Sequence, residues 1–324
     1  VHAFLVQRGA VPMAEGDSVI EVDDTLKALQ DLAAWHRAQF KLPVIGITGS
    51  NGKTVVKEWL NQLLAEEERI VRSPGSWNSQ VGVPLSVWEI SEEDTLGLFE
   101  AGISEPGEMQ ALARIIAPDI GIFTNIGPAH SAGFPNDTAK AEEKAKLFRD
   151  AKSVVYCRDH ADVHAALAKL NGPALHAWSR KEEAYLRILK ENIEESDTRL
   201  SLQCNGKEFD VLLPFTDGAS VENALHCITL LFLLGRTPGT IADRMYHLRP
   251  VSMRLEMLPG MNNGTLLNDA YSNDLASLTI ALSQLTRMAV GRPKTVVLSD
   301  ISESGEAPAQ LYARIAGLLR AAQV

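Results

Sequence analysis

Cysteine is scarce in this 324-residue chain, which has only Cys157, Cys204 and Cys227. The three lie far apart and lack metal-ligand spacing, so the sequence offers no cysteine-based metal site. Reduced, mostly buried thiols in a cytoplasmic protein are expected. Basic charge is also short: 31 Lys and Arg stand against 41 Asp and Glu, a net charge of −10. That argues against a general nucleic-acid binder, which needs a basic surface to displace counterions. An anion such as a nucleotide could still be held, but only by a local site. No apolar run reaches the length of a membrane span, and no signal peptide opens the chain. Internal repeats and low-complexity segments are absent as well. Val1 is not an initiator residue, and Ala3 to Ala10 reads as a fold already under way, so the N-terminus is expected to be cut from a longer protein.

What is present is an ordinary globular composition, 45% hydrophobic and 22% charged, with length for about two domains. Val44-Ile45-Gly46-Ile47-Thr48 is a short apolar run ending in a glycine-rich turn. Beyond it Val55, Val56, Trp59, Leu60, Leu63 and Leu64 recur with helical spacing over 54–67. Strand, glycine turn and helix then repeat: strands over 96–101, 120–124 and 153–157, helices over 107–117 and 138–150. Such alternation predicts a mainly parallel sheet covered on both faces. Between 185 and 215 the pattern changes to alternating segments at 186–189, 199–202 and 209–212 around Asn205-Gly206, a hairpin signal. An antiparallel subsheet is therefore expected on the parallel core, followed by helices at 219–235 and 238–247. Arg249-Pro250 reads as a boundary. A second α/β run follows, with strands at 254–258, 264–268 and 294–299 and helices at 274–287 and 308–322. The predicted fold class is thus α/β: a phosphate-loop-containing parallel sheet with an appended antiparallel subsheet, then the start of a second Rossmann-like domain.

Gly49-Ser50-Asn51-Gly52-Lys53-Thr54 carries the sharpest chemistry. Glycines let the backbone turn its N–H groups toward phosphate oxygens, and the following helix aims its positive end there. Lys53 would neutralise the β and γ phosphates, and the Thr54 hydroxyl would hold magnesium. A strict Walker pattern needs glycine where Ile47 stands.

That departure is informative, because Ile45 to Thr54 resembles the phosphate loop of the Mur ligase family. The resemblance implies a UDP-binding N-terminal domain, a central ATPase domain and a C-terminal domain for the incoming amine. On this chain the expected divisions are a remnant of the first at 1–42, the second at 43–250 and a truncated part of the third at 251–324. Amide synthesis needs ATP to phosphorylate a carboxylate, an amine to attack the acyl phosphate, and magnesium to neutralise crowded oxygens. Carboxylates, imidazole and fixed cations are therefore sought around the loop.

Glu100, in Phe99-Glu100-Ala101-Gly102-Ile103-Ser104-Glu105-Pro106-Gly107-Glu108, resembles the family's magnesium-binding glutamate and ends a strand facing the ligand crevice. By itself such a residue is more often a solvated strand end. Asn125 to His130 is similar to the segment whose histidine binds the second magnesium; by itself His130 is a loop histidine. Ser131-Ala132-Gly133-Phe134 departs from the family at the acidic position. Lys144, with Phe148 one turn on, matches the family lysine that is carbamylated and helps hold magnesium. The plainer alternative is a solvated face of Lys140, Lys144 and Lys146.

Asn78, Ser79 and Gln80, in Ser76-Trp77-Asn78-Ser79-Gln80-Val81-Gly82-Val83-Pro84, resemble a substrate-contacting segment. It belongs to the branch that adds D-alanyl-D-alanine to UDP-N-acetylmuramoyl-tripeptide, and Ser79 replaces its second asparagine. Asn223 matches an adenine-side asparagine, Arg254 an arginine that reaches the γ-phosphate, and Asp269 and Tyr271 a nucleotide-lining segment. Ser272-Asn273-Asp274-Leu275 and Ser299-Asp300-Ile301…Ser304-Gly305 resemble the subgroup fused to an alanine racemase. The implied activity is an ATP- and Mg²⁺-dependent ligase of that branch, cytoplasmic, with the sugar-nucleotide tripeptide and D-alanyl-D-alanine as substrates. Alternatives are another Mur-type ligase, for a different amino acid or folylpolyglutamate, or a catalytically incomplete nucleotide-binding fragment.

Overall fold

A computed structural model describes residues 3–9, 18–127, 133–271, 274–301 and 307–324. Strands β1 (Ala3–Gln7) and β2 (Ser18–Val22) form a parallel pair. Helix α1 (Thr25–Arg37) starts where the Asp24 side chain accepts the Lys27 N–H, the cap that a free helix N-terminus requires. The alternating part runs β3 (Val44–Thr48), α2 (Lys53–Leu64), β4 (Ile70–Arg72), α3 (Gly82–Trp88), β5 (Leu96–Ala101), α4 (Glu108–Ile116), β6 (Ile120–Phe123) and α5 (Asp137–Ala145). It continues with β7 (Ser153–Cys157), α6 (Ala161–Ala168) and β8 (Ala174–Ser179). Then come β9 (Leu186–Ile193), β10 (Thr198–Cys204), β11 (Lys207–Leu213), α7 (Gly218–Leu233) and α8 (Pro238–Tyr246). The last described elements are β12 (Glu256–Pro259), β13 (Thr265–Asn268), α9 (Leu275–Met288) and α10 (Pro308–Ala321).

Nine strands share one sheet in the order β11-β10-β9-β8-β7-β6-β3-β5-β4. From β4 to β9 neighbours pair parallel, and β9-β10-β11 pair antiparallel, as the change of periodicity predicts. Every residue of β3 and of β5 is buried, which explains why they read as mainly apolar runs rather than alternating ones. On one face α2 and α7 lay Val56, Trp59, Leu60, Leu63, Leu64, Leu225 and Ile228 onto the sheet. A large apolar side chain so enclosed contributes roughly 1.5–3 kcal/mol. On the other face α4 and α5 contribute Met109, Leu112, Ile115, Ile116, Ala141 and Ala145. Trp59 also stacks on Phe215 at 4.7 Å and donates to the Arg249 carbonyl, fastening the 249–250 segment to α2.

The sequence missed β2 and α1 in the 1–42 stretch, and also β4, α3, α6 and β8, short elements whose burial comes from the neighbours rather than from their own periodicity. One expectation is corrected. Residues 294–299 are not a strand: no described strand pairs with them, and Val297 is 96% exposed. Without a ladder partner, the backbone groups of this exposed run turn to water rather than to a neighbouring strand. No described helix is long and apolar enough to cross a membrane.

Candidate functional site

Strand β3 sits between β5 and β6, so the chain leaves it at a point where connections diverge on either side. Crevices at the carboxyl ends of parallel strands at such a point are where α/β sheets take ligands. The Gly49–Thr54 loop leaves β3 there, and Glu100 and Asn125 come from the ends of β5 and β6.

The loop's shape depends on two glycines. Gly49 has φ of +146°, and a Cβ on it would lie 1.9 Å from the Thr124 hydroxyl. Gly52 has φ of +84°, and a Cβ there would lie 2.2 Å from Asn223 Oδ1. Both the backbone region and the space admit only glycine. Two of the loop's N–H groups are held from behind rather than left open: Ser50 N donates to the Asn125 carbonyl at 2.9 Å and Asn51 N to Asn125 Oδ1 at 3.1 Å. The Asn125 amide in turn donates to Glu222 at 3.3 Å, and His160 faces the same carboxylate at 3.0 Å. The Lys53 ammonium donates to the carbonyls of Gly49 and Ser50, at 2.9 and 3.0 Å. Burial lowers its pKa to about 8, opposed by Glu100 and reinforced by Arg254 and Lys140.

Glu100 is buried. Its Oε2 accepts from the Thr54 hydroxyl at 3.1 Å and the Asn78 amide at 3.3 Å. Oε1 lies 3.0 Å from Lys57 Nζ yet takes no hydrogen bond of good geometry. The solvated strand end is thereby excluded: this carboxylate joins the nucleotide loop to the segment singled out for substrate. Lys57 was missed by the sequence reading. Its signal was a lysine one turn beyond Lys53, on the inward face of α2 among Val56, Trp59 and Leu60.

Lys144 is 2% exposed, not on a solvated face, and Lys140 is buried beside it. Lys144 Nζ donates to the Gly49 carbonyl at 3.2 Å. Burial, with the nearby charges of Lys53 and Lys140, pushes its pKa well below the usual lysine value. Lys53, Lys144, Asn78, Ser79, Gln80 and Glu108 all line one cavity of about 380 Å³. Within it Ser79 Oγ accepts the Gly82 N–H at 3.1 Å. Gln80 bonds to Gln30 and to the Glu108 carbonyl, so both residues also hold local structure.

A second cavity, about 330 Å³, is lined by Asn51, Gly52, Trp59, Asn223, Arg254 and Asp269 among others. Arg254 donates to the Thr54 hydroxyl at 3.4 Å, and its guanidinium lies over the Tyr271 ring at 4.2 Å. Asp269 accepts the Leu255 N–H at 3.1 Å, and burial raises its pKa to about 6. Arg254, beyond the 249–250 segment, thus meets the Gly49–Thr54 loop. His130 lies outside the described residues, as do Pro128, Ala129, Ser131, Ala132, Ser272, Asn273, Ser304 and Gly305.

Among the described residues no group of three or more His, Cys, Asp and Glu side chains gathers as a metal site. The Thr54 hydroxyl and Glu100 Oε2 nevertheless lie 3.1 Å apart, two oxygens side by side at the Gly49–Thr54 loop. Magnesium binds through one or two protein oxygens completed by phosphates and water, so this pair fits it. Lys144 as a free amine does not fit a cation site.

Comparison with known proteins accords with this geometry. A UDP-N-acetylmuramoyl-tripeptide–D-alanyl-D-alanine ligase of Treponema pallidum is 32% identical over 309 residues, 94% of this chain and 65% of the relative. The enzyme of that name from Bacillus subtilis is 29% identical over 313 residues, 94% of this chain and 66% of the relative. The chain therefore spans just under two thirds of the length of these relatives. A MurF ligase from Thermotoga maritima, solved in complex with ADP, superposes with a TM-score of 0.82 at 22% identity, covering 98% of this chain and 73% of that one, and so shares its fold. Residues 47–231, more than half of the chain, match the Mur ligase middle domain, and the chain belongs to the Mur ligase family.

Proposed function

We propose that this chain is the nucleotide-binding part of an ATP-dependent ligase that joins D-alanyl-D-alanine to UDP-N-acetylmuramoyl-tripeptide, the reaction named for its curated relatives. The observation that carries the reading is Glu100, one carboxylate bonded both to Thr54 of the phosphate loop and to Asn78 of the proposed substrate segment. The phosphoryl donor and the carboxylate that receives it would meet across that side chain.

In this reading ATP phosphates displace the carbonyls of Gly49 and Ser50 as partners of Lys53 and gain Arg254 from beyond the boundary. The base enters the cavity lined by Asn223 and Asp269. A magnesium ion held by Thr54 and Glu100 would neutralise phosphate charge in the transition state. The tripeptide carboxylate attacks the γ-phosphorus, the bond to the ADP oxygen breaks, and an acyl phosphate results. The dipeptide amine then attacks the acyl carbon, phosphate leaves with the C–O bond electrons, and the amine proton goes to solvent. The protein's share is positioning and charge compensation.

Lys144 enters as a carbamate. Its lowered pKa favours the uncharged amine, the form that adds CO₂ and releases one N–H proton to solvent, and Lys53 and Lys140 would offset the resulting negative charge. With His130 it would complete a second cation site.

The test is phosphate release from ATP and magnesium, by this chain and by a version extended to the full length of the relatives. Release by the longer protein only with both UDP-muramoyl-tripeptide and D-alanyl-D-alanine present is the expected result. ADP binding without release under those conditions would overturn the assignment.

A further inference from the structure

Lys57 is 0% exposed and lines neither of the two cavities beside the loop. Burying an ammonium costs several kcal/mol unless its protons and charge are matched. A methionine of similar length would fill the space without that cost, so the contacts of the ammonium are informative. Nζ donates to the Ser73 carbonyl at 2.6 Å and to the Gly75 carbonyl. It pairs with Glu100 Oε1 at 3.0 Å and with Glu58 at 3.1 Å.

The two carbonyls belong to the turn that carries the chain from β4 toward Asn78. The same turn grips the end of β5 in three further places. Ser73 Oγ accepts the Glu100 N–H at 3.2 Å, the Gly102 N–H donates to the Asn78 carbonyl at 2.8 Å, and the Asn78 amide reaches Glu100 Oε2 at 3.3 Å. Lys57 takes the Oε1 side of the carboxylate, which leaves Oε2 facing Thr54 and Asn78.

We infer that Lys57 is a positioning residue, locking Glu100 and the 73–78 turn onto each other from beneath. The carboxylate under the nucleotide and the segment that presents the second substrate then move as one body. This deepens the proposed ligase reading and rests on it for the identity of that substrate. Lys57 touches neither cavity, so it acts through Glu100 and Asn78 alone.

The test uses Lys57→Met in the full-length protein. ADP affinity without divalent cation should stay within about twofold of wild type, because the Gly49–Thr54 loop does not depend on Lys57. Hydrogen exchange in peptides covering 73–82 and 100–104 should accelerate by about tenfold or more, while peptides over 45–56 are unchanged. The kcat for phosphate release should fall by about tenfold or more with the KM for ATP little altered, and in a Glu100→Gln background Lys57→Met should cost less than it does alone, because only its grip on the Ser73 and Gly75 carbonyls is then left to lose. Unchanged exchange at 73–82, or losses that multiply in the double variant, would overturn the inference. If Lys57→Met does not fold, Lys57→Gln carries the same test, because its neutral amide ends one bond short of the ammonium and cannot make the Glu100 pair and both carbonyl contacts together. If wild-type full-length protein releases no phosphate with both substrates, the ligase reading fails instead, and the exchange and ADP measurements still decide the role of Lys57.

Discussion

Asn223 Oδ1 occupies the space that a side chain on Gly52 would need, 2.2 Å from the position of its missing Cβ. The residue expected on the base side and the turn expected on the phosphate side are thus one packed unit. Gly52→Ala meets both that clash and a φ of +84°, which costs a non-glycine residue roughly 1–2 kcal/mol. ADP affinity, measured by calorimetry, should fall by about tenfold or more. In an Asn223→Ser background Gly52→Ala should cost less, because the clash is gone and the backbone strain remains. An equal loss in both backgrounds would show that the backbone term dominates.

Lys144→Met should stabilise the fold and abolish turnover together. The lowered pKa of Lys144 means that the native state holds its proton less tightly than the unfolded chain does. For such a group stability falls as pH drops below the unfolded value, so at neutral pH the native state bears the cost of an uncharged or desolvated amine. Methionine removes that cost. A melting temperature above that of wild type is expected. A lowered melting temperature would mean that the bond to the Gly49 carbonyl outweighs the burial of the amine. Full phosphate release by this variant would remove Lys144 from the mechanism.

The parallel sheet was legible because β3, β5, β6 and β7 are short, mainly apolar and punctuated by glycine and proline, and the hairpin because Asn205-Gly206 marks its turn. The phosphate loop was legible for the same local reason. What stayed hidden was long-range. The Lys57–Glu100 pair joins residues on different elements, and the inward spacing of Lys57 in 53–64 marks it as buried without naming its partner. Asn125 was quoted as part of a motif, yet its grip on Ser50 and Asn51 requires β6 to lie beside β3. Lys144 was weighed against a solvated face; helical spacing places it on the same side as Lys140, and only the packed sheet shows which way that side points. Residues 294–299 have strand-like chemistry but lack the described partner that would make them one.

Asp269→Asn should flatten part of the pH dependence of stability. Burial raises the Asp269 pKa from 3.8 to about 6, so between those values the native state binds more protons than the unfolded chain. Stability from this group is fully present below the lower value and is lost as pH rises through the upper one. The asparagine keeps an acceptor for the Leu255 N–H without the charge. Melting temperatures of the two proteins should therefore diverge from pH 4 to about pH 7, the variant gaining relative to wild type as pH rises. Parallel curves would mean that the carboxylate is solvated in the native state.

Asn125 faces two ways, and substitutions can separate its duties. Its carbonyl and Oδ1 hold the Ser50 and Asn51 N–H groups, while its amide holds Glu222. Asn125→Ala leaves the backbone bond to Ser50 and removes the other two, at a cost of roughly 1–3 kcal/mol for polar groups left unpaired. Asn125→Asp keeps an acceptor for Asn51 but sets a carboxylate against Glu222 and beside the place proposed for phosphate. If only the acceptor mattered, the aspartate would bind ADP as wild type does. If the asparagine also neutralises the face toward Glu222, the aspartate should bind ADP more weakly than the alanine, because like charges at this distance repel and the incoming phosphate adds to them. The second ordering is expected, and an equilibrium titration of ADP against the three proteins at one ionic strength decides between them.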